Sequence, residues 1–334
     1  MKMTMKTIRE TAREKLKGYC RVCPECNGKA CVGEVPGMGG AGTGASFKNN
    51  VEALAAYRIN LRSLHGAKDP NTRLEFFGQE LVTPIIAAPI TGNKFNMGGA
   101  LSEEEWAEAI LQGCLTEGSL GTTGDGPDVA LYNTGVDQIA KFQGRGIAFT
   151  KPREPEEVIK CLKRAEEAKV IAVGMDVDAA GLSTMAVGPK SLEELKTIIS
   201  GTTLPVILKG IMTVDEAEIA IEAGAAGIVV SNHGGRMIDH TPGTAEALPE
   251  IAAAVNGRIA VLADGGIRSG VDVLKMLALG ADAVLIGRPL VIAAYGGGAE
   301  GVATVLRRMT NELKQAMVLT GCASLSDISM DVIF

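Results

Sequence analysis

Aromatic residues make up only 4% of this 334-residue chain, with a single tryptophan, and histidine occurs just three times. With so few large rings but 46% hydrophobic residues and 42 glycines, the composition favours repeated strand–helix units over a β-sandwich. Basic charge is short as well. Lys and Arg number 33 against 39 Asp and Glu, a net charge of −6, so no cationic excess exists to displace counterions from a nucleic acid. No uninterrupted apolar segment reaches the roughly 18–20 residues of a membrane span. Residues 1–17 are charged and helix-like, without the apolar core of a signal peptide. The expectation is a cytoplasmic protein with neither nucleic acid nor membrane as partner.

Cysteine is present but unevenly placed. Cys20, Cys23, Cys26 and Cys31 crowd into a C-x2-C-x2-C-x4-C cluster, whereas Cys114, Cys161 and Cys322 lie in apolar-periodic contexts and read as buried thiols. In a cytoplasmic chain such a cluster points to metal or redox chemistry more than to disulfides. Zinc, an iron–sulfur cluster and bare thiols all stay open, and no metal ligand is assigned.

Residues 5–18 carry the pattern of an amphipathic helix. The segment from Gly33 to Gly44 is too glycine-rich for helix or strand. It follows no strand and opens no clear helix, so it reads as a mobile flap or connector and not as a phosphate loop. A helix near 49–58 and a short extended pair, 74–77 and 79–82, complete an N-terminal extension of residues 1–82.

From residue 83 to 334 a rhythm sets in. Apolar runs at 83–89, 118–123, 146–150, 170–176, 204–209, 226–231, 258–264 and 282–287 read as strands. Charged helical patterns lie between most of them, such as 102–111, 154–168, 191–199, 214–223 and 270–279. Eight such units make a (β/α)8 TIM barrel, class α/β, with an N-terminal helical and cysteine-rich extension. Thr91, Thr122, Asp176, Asp178, Lys209, His233, Asp264 and Arg288 fall at or just beyond strand C-terminal ends, which a barrel gathers around one mouth and an open sheet does not.

The sharpest of these ends is Ser231-Asn232-His233-Gly234-Gly235-Arg236, directly after Ala226-Gly227-Ile228-Val229-Val230. A histidine there can take a proton, and Arg236 can hold a carboxylate through a two-pronged charged hydrogen bond. A core histidine fits poorly among Asn, Gly, Gly and Arg. Lys209 closes another buried run, a costly place for an ammonium unless it is paired or functional. Asp264-Gly265-Gly266-Ile267-Arg268 and Ile286-Gly287-Arg288-Pro289 each combine a strand end, glycine and arginine before a helix. Barrels often bind phosphate after their last two strands, where these two lie.

Taken together, these four stretches resemble the FMN-dependent 2-hydroxy-acid oxidases and dehydrogenases, closely from about 204 to 302. The resemblance continues loosely through Tyr57-Arg58-Ile59-Asn60-Leu61, Phe77-Gly78-Gln79-Glu80 and Ala87-Ala88-Pro89-Ile90-Thr91. It implies FMN as cofactor and a small anionic substrate. His233 would be the base, with Asp178 stabilising its protonated form, and Arg236 would hold the substrate carboxylate. Lys209 would stand by the flavin N1/O2 edge. Ala88, Pro89, Thr122 and Ser231 would border the flavin, Asp264 would bond its ribityl chain, and Gly265, Gly266, Arg268, Gly287 and Arg288 would hold its phosphate. A homo-oligomer is also implied. The electron acceptor stays open among oxygen, a quinone and a carrier served by the cysteine cluster.

The departures from the family are specific. Its Gln-Leu-Tyr on strand 3 has become roughly Ile147-Ala148-Phe149, losing a flavin-binding amide and a substrate-binding phenol. Asp176 replaces a threonine, a second substrate arginine is absent from 179–187, and the lid there is cut short. The N-terminal active-site tyrosine gives way to the cysteine cluster. Two other readings compete. One is a flavin-dependent isopentenyl-diphosphate isomerase, whose early strand also resembles Ala88-Pro89-Ile90-Thr91-Gly92. The other is a flavin- or metal-binding redox sensor.

Overall fold

The computed structural model describes residues 3–182 and 185–334. Helices α1 (Met5–Lys15) and α2 (Ala45–Ala56) precede a hairpin of β1 (Leu74–Phe76) and β2 (Gln79–Leu81). Eight parallel strands follow: β3 (Ile85–Ala87), β4 (Thr122–Thr123), β5 (Ile147–Thr150), β6 (Ala172–Asp176), β7 (Val206–Ile211), β8 (Gly227–Val230), β9 (Ala260–Ala263) and β10 (Ala283–Ile286). They bond in the order β3-β10-β9-β8-β7-β6-β5-β4. Between β3 and β4 the ring is closed by Ala87 N–H on Leu120 O at 3.1 Å and by Thr122 Oγ1 on Ala87 O at 2.8 Å. Each predicted strand is present, within a few residues of its expected bounds.

Around the ring run α4 (Glu103–Thr116), α5 (Ala130–Lys141), α6 (Pro155–Glu167), α7 (Leu192–Ser200), α8 (Val214–Glu222), α9 (Thr244–Val255), α10 (Gly270–Ala278) and α11 (Arg288–Val318), with a short α3 (Asn93–Asn96) after β3. Ser102, Ser191 and Ser269 cap α4, α7 and α10 through reciprocal bonds with Glu105, Glu194 and Asp272. The helix expected over 49–58 starts earlier, at Ala45, because a remote carboxylate caps it. Asp239, beyond β8, accepts the Ala45 and Ser46 amides at 2.9 and 3.4 Å. The first helix stops at Lys15, short of 18, and the chain turns through Gly18 at φ +88°.

Strand alternation sorts the core into two. Ile85, Val173, Leu208, Ile228 and Val284 face the helices, while Ile86, Leu120, Phe149, Ile207, Leu262 and Leu285 fill the barrel. Burying each such side chain contributes roughly 1.5–3 kcal/mol. Gly174 makes room for the Phe149 ring, since a Cβ there would sit 2.2 Å from it. Phe76 and Leu81 of the hairpin belong to the inner cluster, and a Cβ on Gly227 at the start of β8 would meet the Phe77 ring. The hairpin therefore plugs the N-terminal end. At the other end, two residues further along each inward row, the alternation delivers Ala88, Thr122, Lys151, Asp176, Lys209, Ser231, Asp264 and Gly287 to the mouth.

One 18-residue window of α11 is apolar enough for a membrane span, with mean hydropathy 1.3, but 67% of it is buried inside the fold. It packs on α1 and α4, with Tyr295 against Trp106, and breaks at Gly298 (φ +56°).

Candidate active site

β8 ends in a strained turn. His233 adopts a left-handed backbone (φ +57°), followed by Gly234 (+64°) and Gly235 (+76°). A non-glycine residue held there costs about 1–3 kcal/mol and persists only where its surroundings over-determine it. They do so here. His233 N–H donates to Ser231 Oγ at 3.0 Å, and Asn232 Oδ1 accepts from Gly235 N–H at 3.1 Å and from buried Asn50 at 2.8 Å. A Cβ on Gly235 would stand 2.3 Å from the Phe47 amide nitrogen, so only glycine lets α2 approach.

The imidazole meets Asp178 in the turn after β6. Nδ1 is 3.1 Å from each carboxylate oxygen and 3.3 Å from Lys209 Nζ. The ammonium could only donate to a bare Nδ1 and the carboxylate can only accept from a protonated one; two oxygens at 3.1 Å against one ammonium at 3.3 Å favour the proton on Nδ1, which leaves Nε2 as the basic nitrogen. Burial and the Lys209 charge push the His233 pKa below its ordinary value, with Asp178 partly restoring it. Burial works against ionisation of Asp178, yet His233 and Lys209 hold its carboxyl below the usual range. Lys209 is buried too, a cost outweighed by Asp176 at 3.2 Å, Asp178, and Asp264 at 4.0 Å, which raise its pKa. Gly210 (φ +108°) is the neighbour that makes this packing possible, because a Cβ there would lie 2.5 Å from the Asp178 Cβ.

Three guanidiniums converge beside this centre. Burial and repulsion from Arg236 and Arg268 lower the Arg288 pKa, and burial alone brings Arg236 down to about 10. Among the described residues none of the three has a carboxylate partner. They donate to carbonyls instead: Arg288 to Met38, Gly39 and Gly234 at 2.8, 2.8 and 3.1 Å, Arg268 to Cys26 at 3.1 Å, and Arg236 to Gly37 and to Asn96 Oδ1. The Phe47 ring lies 3.8 Å from the Arg288 guanidinium carbon. The glycine-rich segment expected to be a mobile connector is thus docked over the mouth, its carbonyls turned onto the arginines. The cysteines are carried along, but among the described residues no three of their Sγ atoms come within 4.8 Å of one another.

The remaining predicted residues divide. Ser231 Oγ bonds Asp264 Oδ2 at 2.9 Å, leaving Asp264 Oδ1 buried without a partner. Gly265, Gly266, Gly287 and Arg288 surround one end of the mouth, and none of their amides donates a hydrogen bond to another described residue. Ala88 borders the cradle at Gly287 beside Pro89, and Thr122 Oγ1 is committed to Ala87 O. Thr91 is spent on Glu103, at 3.0 Å, and is structural. The sequence reading missed Lys151, whose ammonium is 2.7 Å from Asp176 Oδ2. It also missed the buried Arg153–Asp125 pair, at 2.8 Å, that pins the corner carrying Lys151; Asp125 also accepts the Lys151 amide at 3.0 Å.

Guanidiniums without a carboxylate partner, unused glycine-loop amides and a carboxylate oxygen without a hydrogen bond are complementary to a phosphate joined to a polyol, and flavin mononucleotide fits that donor set. A TIM barrel so equipped, with a carboxylate-paired histidine at its mouth, is a flavin-dependent oxidoreductase. Family-level comparison agrees: the model for FMN-dependent dehydrogenase matches residues 37–186 and 181–334. The chain is 37% identical to an L-lactate oxidase of Lactobacillus jensenii, over 85% of this chain and 76% of that protein. It is 33% identical to a 4-hydroxymandelate oxidase of Amycolatopsis orientalis, over 86% and 89%. A crystal structure of mandelate oxidase with benzoyl-formic acid superposes with a TM-score of 0.81 at 30% identity, covering 100% of this chain and 98% of that one. The chain belongs to the FMN-dependent dehydrogenase family and is an FMN-dependent oxidoreductase of 2-hydroxy acids. The isomerase and redox-sensor readings are not favoured by these relatives.

Proposed function

We propose that this site oxidises a 2-hydroxy acid to the 2-oxo acid with His233 as the base. The observation that carries the reading is the pairing of His233 Nδ1 with Asp178 at 3.1 Å, which aims a neutral Nε2 at the mouth. Arg236 uses two of its five donors on Gly37 and Asn96, leaving N–H groups to grip the substrate carboxylate. With the carboxylate held, Nε2 takes the hydroxyl proton, and Asp178 stabilises the imidazolium that results. FMN, when bound, supplies the acceptor for the hydride equivalents. Lys209 would place its positive charge beside the flavin, where it would stabilise the negative charge of the reduced ring. Ala88, Pro89, Thr122, Ser231 and Asp264 would line the flavin, and Gly265, Gly266, Arg268, Gly287 and Arg288 would hold its phosphate.

Further readings accompany this one. The oxidase names of the relatives support dioxygen as electron acceptor. Seven free thiols support a reducing, cytoplasmic setting. Exposed Leu61, Leu64, Met330 and Phe334, near the Ile59–Ile333 bridge, support a homo-oligomer. Residues 1–82 are read as an extension folded onto the barrel of 83–334, supported by the bonds from 26–39 to the loop arginines. The test of the main reading is an anaerobic panel of lactate, glycolate and mandelate. One member should reduce the flavin with stoichiometric 2-oxo acid, and reduction by none would overturn it.

A further inference from the structure

Of the eight inward residues at the mouth, Lys151, Asp176 and Lys209 occupy consecutive strand ends, with the carboxylate between the two ammoniums. Asp176 Oδ2 accepts from Lys151 Nζ at 2.7 Å. Asp176 Oδ1 is ion-paired with Lys209 Nζ at 3.2 Å but, buried, has no hydrogen-bond partner among the described residues. The Asp176 side chain is only 1% exposed. An oxygen that is ion-paired but makes no hydrogen bond keeps lone pairs free for one further donor. Lys151 Nζ makes this one hydrogen bond among the described residues, which leaves it two further protons to give.

The pyrimidine edge of a flavin presents a single donor, N3–H, between two carbonyl acceptors. Asp176 stands between the ammoniums of Lys151 and Lys209. We propose that Asp176 accepts the flavin N3–H through Oδ1 while Lys151 donates to a carbonyl beside it, so that an ion pair reads the imide edge of FMN. This rests on FMN belonging to the site. Burial disfavours ionisation of Asp176, yet Lys151 and Lys209 keep its carboxyl well below the usual range, so it stays a pure acceptor. The Asp125–Arg153 pair holds the Lys151 backbone in register with it.

The test is a chemical double-mutant cycle on the flavin-stripped full-length protein, titrated with FMN and with 3-methyl-FMN, in which the N3–H is blocked. The wild type should prefer FMN by about tenfold or more, the order of one charge-assisted hydrogen bond. In Asp176→Ala that preference should collapse to near unity. Because this variant leaves Lys151 buried and unpaired, the double variant Lys151→Met/Asp176→Leu replaces the pair with apolar groups and should show the same collapse. Equal binding of the two flavins by the wild type, or a preference that survives in both variants, overturns the proposal alone. A wild-type chain that binds neither flavin overturns it together with the FMN assignment beneath it.

Discussion

His233 Nδ1 stands 3.1 Å from both oxygens of Asp178, so one carboxylate bears on the tautomer, the ring orientation and the charge response of the imidazole at once. As the proposed base, His233 must be neutral to take a proton. Since burial and Lys209 lower its pKa below the ordinary imidazole value, kcat/KM should rise with pH through a point below about 6.5 and be flat above it. Asp178 raises the His233 pKa, so Asp178→Asn should move the acid limb to lower pH while lowering the plateau by about 100-fold. A limb that moves to higher pH contradicts this pairing.

Gly210 gives the same relationship a backbone test. Its φ of +108° and the 2.5 Å approach to the Asp178 Cβ leave no space for a methyl group. Gly210→Ala should push Asp178 off the imidazole and reproduce the kinetic loss of Asp178→Asn, with FMN still bound by absorbance. Full activity in that variant would show that the close approach is not needed.

Arg236→Met should raise KM for the hydroxy acid by about 10- to 150-fold, the value of charged hydrogen bonds worth roughly 1.5–3 kcal/mol. Arg236→Lys keeps the charge without the planar fork and should fall between the two. Steady-state kinetics with a 2-hydroxy acid and with its uncharged amide decide the point, because the amide should be insensitive to either substitution.

Arg288 is held by three carbonyls and the Phe47 ring but by no carboxylate. Arg288→Met should therefore weaken FMN about tenfold or more while leaving riboflavin, which lacks the phosphate, nearly unchanged. Fluorescence titration of the stripped protein with both flavins measures the ratio, and an equal loss for both would remove Arg288 from the phosphate site.

The barrel was legible because its strands are apolar runs that stop at a polar residue. The residues at those stops, from Thr122 to Arg288, could be named in advance. Lys151 escaped because it lies one residue past its run and precedes Pro152, which reads as loop. Counting by twos from Ile147 and Phe149 would have turned it inward. The Arg153–Asp125 pair joins residues 28 apart and leaves no local pattern. Nor does composition reveal what a glycine-rich segment rests on. The carbonyls of Gly37, Met38 and Gly39 found the arginines only through tertiary packing. Asp239 shows the same limit, since it caps α2 across nearly two hundred residues.

The central claim is that His233 takes the substrate proton inside an FMN site. Anaerobic mixing of wild-type protein and His233→Ala with an accepted 2-hydroxy acid tests it most directly, by following the visible flavin absorbance. The wild type should bleach rapidly. His233→Ala should retain its flavin and remain reducible by dithionite, yet bleach with substrate about 100- to 10,000-fold more slowly. Bleaching of the variant at the wild-type rate would contradict the assignment.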